Sequence, residues 1–243
     1  MSKVVTTTLL PDVAGGSVTL GGTGDSVVVT GNDIRTNALQ DAGGNAVFTS
    51  NGSGVLSGVN SGLGGALNLL STQTASNTAN VSFTTQLTST YDVYVFKFIE
   101  INPASNNEQF AFQCSTDGGS NYNVTMTTTF FEAYHRESDA AAGTSYFGTY
   151  DQAQGTAFQQ LSFKIANFAD ASASGSLHLF APSSATYVKH FYSRSNTMDG
   201  DSETVDGYAA GYFNTTTALN AIQFKMTSGN FDGTIKMYGI SKS

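Results

Sequence analysis

From residue 81 onward, apolar and polar side chains alternate with a period of two, the pattern of β-strands with one buried face. Residues 91–101 (Tyr-Asp-Val-Tyr-Val-Phe-Lys-Phe-Ile-Glu-Ile) are apolar at both parities, which predicts a central strand covered on both faces. Phe110, Phe112 and Cys114 alternate with Ala111, Gln113 and Ser115 and predict a half-buried strand. Past the turn signal at residues 117–121 (Asp-Gly-Gly-Ser-Asn), Tyr122, Val124, Met126, Thr128 and Phe130 make a second alternating run. The two runs together predict a hairpin with a long loop. A second hairpin is expected from Leu161/Phe163/Ile165 and Leu177/Leu179, joined through the Ala-Ser-rich residues 170–174. A third is expected from Ile222/Phe224/Met226 and Ile235/Met237, with residues 230–233 (Asn-Phe-Asp-Gly) as a tight connection. No stretch carries helical periodicity with caps. About eight to ten strands predict a two-sheet antiparallel sandwich of the jelly-roll type.

Residues 1–66 follow another pattern. Short apolar runs (Val18-Thr19-Leu20, Val27-Val28-Val29, Ala46-Val47-Phe48, Val55-Leu56) are separated by glycine-rich turn signals at 15–16, 21–25, 43–45 and 51–54. Strands this short are marginal alone and need neighbours to supply pairing and burial. The expected element is a glycine-rich arm of short β-strands that completes its core with copies of itself or with a host surface. A flexible tail is the alternative, although a linker would not carry so many Val and Leu. The aromatic residues mark the division: of 28 Phe and Tyr, only Phe48 precedes residue 83. Residues 71–80, low in apolar side chains, are either the domain junction or a polar, exposed edge strand. The expected domains are therefore 1–80, the arm, and 81–243, the sandwich.

Composition narrows the function. The polar positions are filled by 28 Ser and 31 Thr among 243 residues, while charged residues are only 12%, against about 25% in an ordinary domain. With 40% hydrophobic residues, this is a folded chain with an uncharged polar surface. Ten basic residues against 18 acidic ones leave a net charge of −8, so no nucleic-acid partner is expected. No apolar run is long enough for membrane insertion. Cys114 is alone, which excludes a disulfide framework or a thiolate metal cluster.

Chemistry-bearing clusters are few. Glu132, His135, Glu137 and Asp139 mix imidazole with carboxylates, but on an alternating strand residues three apart face opposite sides. Asp199, Asp201 and Glu203, near Asp206, are candidate calcium ligands, and an acidic surface loop is the alternative; they lack the full EF-hand loop pattern. Asp92 and Glu100 invite a glycosidase reading, but nothing marks either as an acid of raised pKa. No nucleophile elbow, zinc-protease or phosphate-loop motif occurs. No catalytic residue and no cofactor is expected, calcium aside. Tyr146, Tyr208 and Tyr212 are candidates for stacking on sugar rings; core or interface packing is the competing reading.

Residues 29–34 (Val-Thr-Gly-Asn-Asp-Ile), 41–48 (Asp-Ala-Gly-Gly-Asn-Ala-Val-Phe) and 51–55 (Asn-Gly-Ser-Gly-Val) resemble the amino-terminal part of virion proteins of tailed bacteriophages, above all marine ones such as cyanophages. Residues 112–122 (Phe-Gln-Cys-Ser-Thr-Asp-Gly-Gly-Ser-Asn-Tyr) and 229–240 (Gly-Asn-Phe-Asp-Gly-Thr-Ile-Lys-Met-Tyr-Gly-Ile) look like the same group. The resemblance implies an exterior structural part, either a tail fibre or appendage or a capsid decoration protein, commonly a homotrimer with a β-sandwich head. It brings no receptor or catalytic residues. The arm would then dock and trimerise, using Val27, Val29, Ile34, Val47, Phe48 and Val55 for assembly. The expected partners are further copies of the chain, other virion proteins of capsid or tail, and a host-surface glycan. The first residues lack a secretory signal's apolar stretch, so synthesis in the host cytoplasm and residence on the virion exterior are expected. A carbohydrate-binding module or adhesin is the leading alternative, and a surface depolymerase a third.

Overall fold

The computed structural model of the chain describes residues 38–40, 45–50, 53, 56–57 and 66–242. Its contacts divide into two compact units, residues 1–60 and 61–243. In the first, β1 (Ala38–Gln40), β2 (Ala46–Ser50) and β3 (Leu56–Ser57) form an antiparallel sheet in that order. Val47 and Phe48 are half-buried on β2, with Phe48 opposite Leu39 in register. Val27, Val29, Ile34 and Val55 lie outside the described residues.

The second unit is all-β and antiparallel. Its strands are β4 (Leu67–Thr78), β5 (Asn80–Phe83), β6 (Val93–Pro103), β7 (Phe110–Ser115), β8 (Met126–Arg136) and β9 (Ala142–Tyr146). They continue with β10 (Gln159–Gln160), β11 (Ala173–Phe180), β12 (Lys189–Met198), β13 (Glu203–Phe213), β14 (Ala221–Met226) and β15 (Phe231–Ile240). One sheet has the order β4-β15-β6-β11-β12-β13-β8-β9 and the other β10-β7-β14-β5. No helix among the described residues is long and apolar enough to cross a membrane.

Aromatic side chains fill the space between the sheets. Phe96 and Phe98 of β6 meet Phe224 of β14 and Phe110 of β7 with ring centroids 5.4 and 5.3 Å apart. Phe83, Phe112 and Phe231 complete the cluster, each almost inaccessible to solvent. Burying one such ring contributes about 1.5–3 kcal/mol by transfer alone, so the period-two Phe positions dominate the fold's stability.

Four sequence expectations are corrected. Of the two readings of residues 71–80, the edge strand is the one that forms and the junction does not: most of them belong to β4, hydrogen-bonded along β15, so the sandwich begins well before residue 81. None of the three expected hairpins forms. Two are arches: β7 and β8 lie in opposite sheets, as do β14 and β15, so the partners face each other across the core rather than pair. In the third, residues 161–165 make no strand and contribute only an isolated bridge from Ile165 to Glu108. Strand β6 is central but not covered on both faces: on its outward side Val93 is half-buried and Val95 buried, while Lys97 and Ile99 are exposed. Conversely, all six residues of β7 are buried, because Gln113 is sealed by carbonyls of Val124, Thr156 and Ala157 at 3.1 Å each.

Candidate functional site

Beyond β11, the larger sheet continues through β12, β13, β8 and β9, and this half carries most of the exposed aromatic side chains. Strand alternation places His190, Tyr192 and Arg194 on the solvent face of β12, and cross-strand register fixes their neighbours. Arg194 opposes Tyr208 of β13, Tyr208 opposes Phe131 of β8, and Phe131 opposes Tyr146 of β9. Four strands thus present one continuous row.

The row is ordered by its own contacts. The Tyr208 and Phe131 rings stack at 4.8 Å, and the Arg194 guanidinium lies 5.4 Å from the Tyr208 ring centroid. Arg194 Nε and Nη2 donate to Asp206 at 2.9 and 2.7 Å, and the Tyr208 hydroxyl donates to the same carboxylate at 2.9 Å. Hydrogen bonds from Arg194 hold the Asp206 carboxyl below its ordinary pKa. The Tyr146 hydroxyl donates to Asp151, and its ring is 66% exposed. Tyr146 and Tyr208, two of the three candidates for sugar stacking, are therefore brought into one row. Phe131, which joins them, is 45% exposed. Its signal was the Phe130-Phe131 doublet: on an alternating strand, one member must face outward. Tyr212 lies on the same face but opposite His190, four residues along β13 from Tyr208, and is outside the row.

The acidic candidates occupy the turn between β12 and β13. Asp199 Oδ1 accepts the backbone N–H groups of Asp201 and Glu203, both at 2.9 Å, and so caps the turn. Glu203 Oε1 accepts from Arg136 Nε at 2.9 Å and Nη2 at 2.7 Å. Among the described residues, no group of three His, Cys, Asp or Glu side chains is arranged to hold a metal ion. Asp92 pairs with Lys242 at 2.9 Å, and Glu100 lies eight residues away along β6. At about 3.3 Å per residue, that separation exceeds by far the roughly 5–9.5 Å of a glycosidase pair.

Glu132 faces inward from β8, opposite in direction to His135, whose Nε2 lies 3.1 Å from Asp139 on the surface. It lines a cavity of about 360 Å³ together with Tyr134, Arg136, Phe147, Phe163 and Asp199. Only 3% of Glu132 is exposed, and its Oε2 has no hydrogen-bond partner. Burial, reinforced by the charges of Asp199 and Glu203, pushes its carboxyl up to about 7. The half-buried Tyr150 phenol is raised to about 12, mainly by burial and then by Glu132. In the sequence, Glu132 shares the inward parity of Met126, Thr128 and Phe130, and that parity was the available signal.

No protein-family model matches the chain, and neither a curated protein nor a solved structure matches it.

Proposed function

We propose that this chain is a non-enzymatic structural component of a tailed-phage virion, exposed on its exterior as a tail-fibre or appendage part or a capsid decoration protein, and assembled as a homo-oligomer. The observation that carries the reading is strand order. Counting β4, β5, β6, β7, β10, β11, β14 and β15 as eight strands, the first, eighth, third and sixth are neighbours in one sheet. The second, seventh, fourth and fifth are neighbours in the other. We read this order as the double Greek key of a jelly roll, an architecture of capsid and lectin domains. Strands β8–β9 and β12–β13 are then insertions that widen the first sheet.

Because one architecture serves many functions, the residues resembling virion proteins carry the remaining weight. They make scaffold: residues 112–122 include most of β7 and a loop in which Asp117 accepts from Ser115 Oγ at 2.6 Å and from the Asn121 backbone at 2.9 Å. Residues 229–240 include all of β15. Strand β4, outermost in its sheet among the described residues, exposes Leu67 and Leu69 by 44% and 56%. Exposed leucines at the start of an open edge support association with further copies.

Immunogold labelling of intact particles, made with an antibody to residues 61–243, tests the location. Label on the exterior is expected; particles without the protein overturn the reading. Light scattering tests the assembly: the full chain is expected at about three times its 25.4 kDa mass, and a monomer at high concentration removes the oligomer.

A second reading, a glycan-binding adhesin, is favoured by the row Arg194–Tyr208–Phe131–Tyr146. Stacked rings flanked by a paired Arg and Asp offer a sugar both an apolar platform and polar partners.

A further inference from the structure

The cavity beneath β8 is a separate place from the aromatic row: Phe131 points to solvent while Glu132, next to it, points between the layers. Its lining holds four carboxylates, Glu132, Asp199, Asp201 and Glu203, against two cations, Arg136 and Lys164. Arg136 is committed to Glu203, and Asp199 Oδ1 to the turn backbone. Glu132 Oε2 alone is buried and unpartnered, close enough to Asp199 and Glu203 to be repelled by both. A buried acceptor left in that position is costly, and a positively charged donor is what relieves it. The walls add Phe147 and Phe163, whose rings lie 5.3 Å apart, with Asn107, Ser145 and Tyr134 as polar partners. A bare alkyl ammonium leaves those polar groups unused. A ring carrying hydroxyls and one ammonium group uses all of them, and about 360 Å³ is within the range of small-ligand pockets.

We infer that this cavity binds an amino sugar, its ammonium group against Glu132 and its C–H face against Phe147 and Phe163. The site stands independently of the virion reading, which concerns location and assembly. Glu132, a poor anion in the empty cavity, ionises fully when the ammonium arrives, so the ligand and the carboxylate stabilise each other's charge.

The test is a titration of the full chain with D-glucosamine, followed by NMR near neutral pH, with D-glucose, N-acetyl-D-glucosamine, an N-acetyl-lysine amide and calcium chloride as separate arms. Saturable glucosamine binding is expected at millimolar concentration, at least about tenfold tighter than glucose or N-acetylglucosamine, a difference of about 1.4 kcal/mol. Glu132→Gln is expected to abolish that preference while still unfolding in one cooperative transition, and Tyr187→Ala, exposed outside both the cavity and the aromatic row, to leave it unchanged. Equal binding of glucose and glucosamine, no glucosamine binding, or full preference in Glu132→Gln overturns the assignment. The lysine amide binding as tightly as glucosamine replaces it with a peptide site, and calcium producing the same shifts replaces it with a cation site. Should Glu132→Gln fail to fold, protection of wild-type Phe147 and Phe163 ring signals by glucosamine alone decides the matter.

Discussion

Phe131 and Tyr208 lie directly opposite each other on β8 and β13 and stack on the solvent side with planes only 5° from parallel. Exposed rings held this way lose little freedom when a ligand lies on them. Tyr208→Ala is therefore expected to cost stability of only about 0.5–1.5 kcal/mol while abolishing saturable binding on a glycan array. A wild-type protein silent on the array removes the glycan reading.

Glu132 sets a pH dependence of the fold. Its carboxyl titrates near 7 in the folded chain and near 4.5 in an ordinary setting. Between these values the folded state holds the extra proton, so stability is full below about pH 4.5 and declines as pH rises through 7. Asp199, Glu203, Arg136, Lys164, Tyr134 and Tyr150 surround or interact with it, and only the two cations oppose the decline. Glu132→Gln is expected to raise the melting temperature by about 3–6 °C at alkaline pH and to leave it nearly unchanged in acid. Parallel curves for the two proteins would show that Glu132 carries no such penalty.

Gly233 adopts φ +140° where β15 bulges against β6. A Cβ there would sit 2.9 Å from the Glu100 carbonyl oxygen and 2.7 Å from Ile101 Cδ1. Backbone cannot yield as a side chain does. Gly233→Ala is expected to lower unfolding free energy by about 2–4 kcal/mol in urea, and a loss within about 0.5 kcal/mol contradicts the geometry.

Cys114 is buried in the core on β7, and burial raises its thiol well above the usual range. A thiol reagent is expected to modify it only when the sandwich opens, with a rate that climbs with urea in step with unfolding. Rapid labelling in native buffer would place that core open to solvent.

Much of the β content was legible because the period-two pattern is local: a strand with one buried face must alternate, and Phe110, Phe112, Phe224 and Met226 do so. The same rule made Phe131 and Glu132 readable in principle, as the outward and inward members of one strand. Pairing was not legible. Two alternating runs joined by a turn look alike whether they hydrogen-bond to each other or face each other across a core, since both bury one side. That ambiguity turned two arches, β7–β8 and β14–β15, into expected hairpins.

What the sequence by itself determined is the all-β class and the aromatic core, each a matter of residue type and spacing. Tertiary structure alone decided that β8, β9, β12 and β13 widen one sheet. This widening aligns Arg194, Tyr208, Phe131 and Tyr146 and encloses Glu132 with Asp199 and Glu203. Those groups are up to 77 positions apart in sequence (208 − 131), and register between distant strands, which no local pattern encodes, is the physical cause of their meeting.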